Sequence, residues 1–325
     1  MGFRKFRMED MNLKDALADA HCDTITAMLK QNRRLCEDKG TGHLDLPRMQ
    51  AGGIKLQFFA AFIAPEYKRT AVKRVLELID LFYREIEENK KNIIAAKNIT
   101  DIKKAVFSKK IAALLAVEGG EALGGSIGIL RCLHRLGVRC LALTWNGRNE
   151  LGDGVGVRNG EGLTPFGKSV VREMNRIKMI IDVSHLAEKG FWDVIELSGH
   201  PVIASHSNCK AVFRHPRNLN DDQIRAVAER GGVIGITYVP DFLGGRSASV
   251  REVLDHIEHA VNVGGIDCVG LGSDFDGTET LPEGLEDCSR VGAVLAGLEE
   301  RGYSEEEIKK IACGNILRLI GQVLG

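Results

Sequence analysis

Eight apolar runs of strand length, spread along the whole chain, constrain this sequence more than any other feature. They are 17–21, "IKLQFFAAFI" (54–63), "IAALLAV" (111–117), "VRCLALT" (138–144), "MIIDVS" (179–184), "PVIAS" (201–205), "GVIGITYV" (232–239) and "CVGLGS" (268–273). Runs that are apolar almost throughout fit parallel strands covered on both faces. Helices are expected between them. Over 66–96, Val72, Val75, Leu76, Ile79, Phe82 and Ile86 recur at helical spacing, with Lys, Arg and Glu opposite. Thr164 before Pro165 offers a cap and a first-turn proline, and Ser304 with Glu307 forms a capping box. Eight strands, each followed by a helix or long loop, predict an α/β chain folded as a (β/α)8 TIM-like barrel. A length of 325 residues suits one such barrel, and no linker or repeat divides it, so 1–325 is expected to be a single domain.

Charge narrows the partners. Lys plus Arg (44) equals Asp plus Glu (44), which argues against a nucleic-acid binder. No window approaches the roughly 18–20 apolar residues of a membrane span. The opening "MGFRKFRMEDMNLKD" has no apolar core of a signal peptide. The eight cysteines are scattered, without a Cys-x-x-Cys pair, as reduced thiols would be. A cytoplasmic protein with no membrane or nucleic-acid partner is expected.

The polar residues just past the runs are the unusual ones. The first run ends in His21-x-Asp23, whose side chains share a face in an extended chain. The third ends in Glu118, the fourth in Trp145 and Asn146, the fifth in His185 and the sixth in His206. Tyr238 closes the seventh, and "GSDFDG", with Asp274 and Asp276, closes the eighth. In a barrel all these ends meet on one face, where barrel enzymes keep their active sites. Carboxylates and imidazoles crowded there would resist desolvation unless one or two divalent metals joined them. Such a donor set suits zinc and related ions. His43, His134, His200, His215, His256 and His259 fall elsewhere and read as structural.

One motif is set aside. "GLTPFGKS" (162–169) matches the P-loop pattern, but a polar, glycine-rich stretch precedes it and the helix is expected to begin at Pro165.

In order and spacing, "DAHCDT", "DLPRMQAGG", "AVEGGEAL", "LTWNGRNELGDG", "DVSH", "ASHSN" followed by "HPRN", "GLGSDFDG", "LPEGLEDCS" and "GNILRLI" resemble the renal-type (membrane) dipeptidases. These are zinc metallopeptidases of the amidohydrolase superfamily, and the resemblance covers nearly the whole chain. It implies two zinc ions per chain: His21 and Asp23 on one, His185 and His206 on the other, and Glu118 bridging. It further implies Asp274 as the acid/base residue, Arg217 of "HPRN" as the partner of the substrate's free carboxylate, and Tyr238 in the same pocket. Peptide-bond hydrolysis of dipeptides by a hydroxide between the metals would follow, including dipeptides ending in a D-residue. A homodimer is also implied by the family. The chain departs from mammalian members at Trp145, where they carry a histidine that can reach the substrate carbonyl; Asn146 beside it is a replacement donor. The residues themselves leave three alternatives open: a related amidohydrolase acting on a lactone, β-lactam or N-acyl amino acid, a mononuclear enzyme, and a non-catalytic metal-binding protein.

Overall fold

Parallel pairing organises the whole chain, which a computed structural model describes over residues 16–37 and 40–325. The strands are β1 (Leu17–Asp19), β2 (Ile54–Phe62), β3 (Ile93–Ala96), β4 (Ile111–Glu118), β5 (Cys140–Ala142), β6 (Ile180–Asp182), β7 (Ile203–Ala204), β8 (Val233–Ile236) and β9 (Val269–Leu271). They run in the order β2-β1-β9-β8-β7-β6-β5-β4-β3, and β2 also pairs with β4 from Leu56↔Ala112 to Phe62↔Glu118. That last pairing closes β1, β2 and β4 to β9 into the expected barrel.

β3 is a strand that the sequence reading placed inside a helix. The helical segment is Ala71–Glu88, after a 3-10 turn at Pro65–Thr70, and Ile93–Ala96 is extended. It pairs with the first half of β4 (Ile93↔Ile111 to Ala96↔Leu114), while β5 takes the second half of the same edge (Ala116↔Cys140 to Glu118↔Ala142). The helix itself buries Val75, Leu78, Ile79, Phe82 and Ile86, whereas Leu76 is exposed. The apolar stripe is therefore turned by part of a residue step from the one anticipated.

The strands are also shorter than the apolar runs, because side chains take over the ladder at the barrel mouth. Asp19 Oδ1 accepts the N–H of Ser273 (2.8 Å), and Asp182 Oδ1 those of Ser184 (2.9 Å) and Ser205 (3.0 Å). Asn208 bonds both backbone groups of Thr237, accepting from its N–H (3.1 Å) and donating to its carbonyl (3.2 Å). Buried N–H groups are thus satisfied without further strand, and the chain is released into loops.

At the opposite end the C-terminal helix Asn315–Val323 plugs the barrel. Ile316, Leu317 and Ile320 pack with Ala18, Leu56, Leu114, Ile203 and Val233. Burial of each large apolar side chain here contributes about 1.5–3 kcal/mol. The Thr164 hydroxyl caps the helix Pro165–Ile177 by accepting from Gly167 N–H (3.0 Å), and Ser304 and Glu307 form their capping box. "GLTPFGKS" is accordingly a cap and first turn. A Cβ on Gly167 would lie 2.0 Å from the Leu151 carbonyl, and Lys168 pairs with Asp193 at 3.0 Å.

No helix among the described residues is long and apolar enough to cross a membrane. The chain's start, on which the signal-peptide expectation rested, lies outside the described residues.

Asp276 leaves the group of mouth carboxylates. It pairs with Arg33 (2.5 Å), accepts from the Thr24 hydroxyl and from His43 N–H (both 2.7 Å), and its own N–H donates to His43 Nδ1 (3.0 Å). Both charged side chains are almost wholly buried. Asp276→Ala would leave the Arg33 guanidinium buried and unpaired, so a loss of about 3–5 kcal/mol is expected in urea unfolding. A loss below about 1 kcal/mol would show that this loop is held by something else.

Candidate metal centre

The first strand delivers its ligand types by continuing its pairing past Asp19. Cys22 N–H donates to the Phe58 carbonyl (3.1 Å), Ala60 N–H to Cys22 (2.9 Å) and Asp23 N–H to Phe275 (2.9 Å). Residues 21–23 therefore stay straight, and His21 and Asp23 face the mouth while Cys22 is buried behind them. Glu118 is the last residue of β4. His185 and Asp274 follow β6 and β9 in the left-handed region, both at φ 65°. Non-glycine residues adopt it at a cost, and such positions cluster at functional sites.

Three donor groups result, two of which share Glu118; the third is His21, Asp182 and His206. In His21–Asp23–Glu118 and in Glu118–His185–His206, one donor atom per residue lies within 4.8 Å of the others. Glu118 Oε2 is 3.4 Å from His21 Nε2, and Oε1 is 2.9 Å from His185 Nε2 and 3.6 Å from His206 Nε2. Each carboxylate oxygen thus faces one half of the cluster. Asp274 Oδ1 lies 3.8 Å from His21 Nε2.

The donors suit a divalent metal. His21 Nε2 and Asp23 Oδ1 are buried atoms with no hydrogen-bond partner, which is costly unless an ion takes them up. Burial opposes charge on His21, yet Glu118, Asp274 and Asp23 together push its pKa up to about 10. Burial and the neighbouring Glu118 lift the Asp23 carboxyl well above its usual range. His185 moves the other way, to about 4, through burial and the nearby Arg217. Burial also lifts Asp274 to about 7, with His21 opposing and Glu118 reinforcing the rise. Imidazoles and carboxylates at this density form a binding site for transition metals.

Two contacts prepare the site, and neither was foreseen from the sequence. His185 Nδ1 is 2.8 Å from Asn146 Oδ1, a contact that puts the proton on Nδ1 when Nε2 serves a metal. The Asn146 oxygen, anticipated as part of a substrate-facing amide, is thus engaged with a histidine. The second contact is a missing one, at Gly277. A Cβ there would lie 2.2 Å from Asp274 Oδ1 and 2.7 Å from Asp23 Oδ2. Gly277→Ala is expected to displace both carboxylates and lower turnover about 10²-fold with folding retained, since misplacements near 1 Å cost that much. Unchanged turnover would show that the loop yields freely.

The cluster opens into a cavity of about 580 Å³. Phe62 and Trp145, with ring centroids 5.5 Å apart, form one wall, and Val239 and Phe242 another. Asp241, Arg246 and Glu279 stand at its mouth. Arg217 is buried beside it, donating from Nη2 to the His206 carbonyl (2.8 Å), with its guanidinium 5.4 Å from the centre of the Phe242 ring. Arg217 Nε has no partner, and burial draws the guanidinium down to about 10 against the pull of Glu118 and Asp274. Tyr238 lies behind Val239, wholly buried, its ring against Phe275 and its hydroxyl unpaired.

A closed parallel barrel with histidines and carboxylates at the C-terminal ends of its strands defines a metal-dependent hydrolase of the amidohydrolase class. The family model described as "Membrane dipeptidase (Peptidase family M19)" matches residues 7–324, and the chain belongs to this family. Solved structures agree. A metallopeptidase described as dipeptidase AC is 32% identical over 96% of this chain and 99% of its own, with a TM-score of 0.91. A metallopeptidase from Rhodobacter sphaeroides, liganded with a phosphinate mimic of the dipeptide L-Ala-D-Ala, is 31% identical over 95% and 99%, with a TM-score of 0.89. An amidohydrolase from Pseudomonas aeruginosa is 26% identical over 86% and 92%, with a TM-score of 0.80.

Proposed function

We propose that this metallo-dipeptidase works with two zinc ions, one held by His21, Asp23 and Glu118 and the other by Glu118, His185 and His206. The observation that carries this reading is the shared Glu118, one oxygen toward each triad. Bound there, the ions supply a Lewis acid for the scissile carbonyl and lower the pKa of water toward about 7.

The remaining work falls to side chains. Asp274, lifted by burial to about 7, takes a proton from the water as its oxygen bonds to the scissile carbonyl carbon, and returns it to the amine nitrogen as the C–N bond breaks. Arg217 pairs with the substrate's C-terminal carboxylate; its planar fork suits that contact, and its unpartnered Nε leaves a donor free. Phe62 and Trp145 give a substrate side chain an apolar wall, with Tyr238 supporting the pocket from behind. The relative liganded with an L-Ala-D-Ala mimic supports acceptance of a D-residue at the C-terminal position.

The test is hydrolysis of pooled L-L and L-D dipeptides by the zinc-loaded and the chelator-treated chain, followed by mass spectrometry. Cleavage that disappears with chelator and includes L-D members is expected. No cleavage by a zinc-loaded sample would overturn the substrate assignment and favour lactones, β-lactams or N-acyl amino acids. Light scattering on the same samples tests the homodimer.

A further inference from the structure

Asp182 is buried at the end of β6, outside the cavity wall and outside the two triads that share Glu118, and its carboxylate groups instead with His21 and His206. Its Oδ1 accepts two backbone N–H groups, from Ser184 (2.9 Å) and Ser205 (3.0 Å), and its Oδ2 accepts the Ser205 hydroxyl (2.5 Å). With its proton given to Asp182, Ser205 Oγ faces its other neighbours as an acceptor. Those neighbours are two imidazoles, His206 Nδ1 at 2.8 Å and His21 Nδ1 at 3.5 Å, and the Ser184 hydroxyl at 3.5 Å. A ring N–H pointing at Ser205 must sit on Nδ1, which leaves Nε2 of each ring free to bind a metal; His206 Nε2 lies 2.8 Å from His185 Nε2, so a proton or an ion must stand between those two nitrogens. Of the two triads that share Glu118, His21 belongs to one and His206 to the other. Their rings lie against each other with centroids 3.8 Å apart, so one hydroxyl reaches both.

The barrel holds that hydroxyl in place. A Cβ on Gly235 or Gly272 would lie 2.1 or 1.8 Å from the Ser205 carbonyl oxygen, so β8 and the end of β9 press directly on the Ser205 backbone. His185 has its own device in Asn146.

We infer that Ser205, oriented by Asp182, is a positioning residue common to both halves of the metal centre: one hydroxyl sets the tautomer of a histidine ligand in each. The inference rests on the two-zinc reading. Outer partners of ligating histidines are worth about 10–100-fold in metal affinity. Losing Ser205 therefore weakens two sites, whereas losing Asn146 weakens one.

The experiment titrates the full-length chain with zinc against a competing chelator. The wild type, Ser205→Ala, Asn146→Ala, Asp182→Asn and the Ser205→Ala/Asp182→Asn double variant are compared. Two zinc ions on the wild type are expected. Ser205→Ala should weaken both by about 10–100-fold, and Asn146→Ala only one. Because Asp182 acts through Ser205, the double variant should be no weaker than Ser205→Ala alone. Weakening of one site or of neither by Ser205→Ala overturns the inference. Failure of the wild type to bind two ions overturns the two-zinc reading instead. Nitrogen NMR of labelled histidines in the zinc-loaded wild type decides the case even if a variant does not fold. Ligation through Nε2 with the proton on Nδ1 is expected at both His21 and His206, and ligation through Nδ1 at either position refutes the shared role.

Discussion

If two zinc ions share Glu118 as proposed, Glu118→Gln is expected to strip both and to lower turnover by about 10³-fold or more. Glutamine preserves the volume of a side chain only 2% exposed, so the barrel has no packing reason to change. It removes the charge, and it replaces two equivalent oxygens by one oxygen and one NH₂ group that cannot ligate. The wild-type carboxylate is well suited to both tasks. Burial alone would raise its pKa, but His21 and His185 hold it well below the usual range, so it stays ionised. Metal catalysis supplies several kcal/mol of transition-state stabilisation, which sets the scale of the loss. Elemental analysis of the purified variant beside its turnover decides the matter. Two retained ions would refute the shared ligand, and one would confine Glu118 to a single half.

Asp274→Asn should act differently, lowering turnover by about 10² or more while the proposed pair of zinc ions stays bound. The substitution is nearly isosteric, and asparagine tolerates the left-handed backbone that Asp274 occupies at φ 65°. What disappears is a carboxyl able to exchange a proton near neutrality. Metal content and turnover are measured together. Full activity with two ions would remove Asp274 from the proton transfer, and loss of metal would make it a ligand.

The contrast between Asp274 and Asp276 shows how far a sequence can be read. Both stand at the end of the same run, two residues apart, and alternation in an extended chain would put them on one face. Yet both have positive φ, 65° and 67°, so the chain turns there. Asp274 enters the mouth, and Asp276 turns away to Arg33. Nothing in "GSDFDG" signals the turn's direction, because it depends on Arg33, Thr24 and His43 from a distant part of the chain. β3 was hidden for a different reason. Four residues, Ile93–Ala96, are too few for a period to distinguish strand from helix, and only the free edge beside β4 selects the extended form.

The alternation of buried strands with amphipathic helices, and the placing of ligand-type residues at strand ends, could be read from the chain alone. Burial patterns and side-chain chemistry are local properties, and they survive without coordinates. Which oxygen of Glu118 faces which histidine, that Ser205 lies between His21 and His206, and that Gly277 must lack a Cβ were decided only in three dimensions. These relations join residues up to 254 positions apart, as Asp23 and Gly277 are. They exist only once β2 pairs with β4 and the ring closes, bringing the ends of separate strands within hydrogen-bond distance.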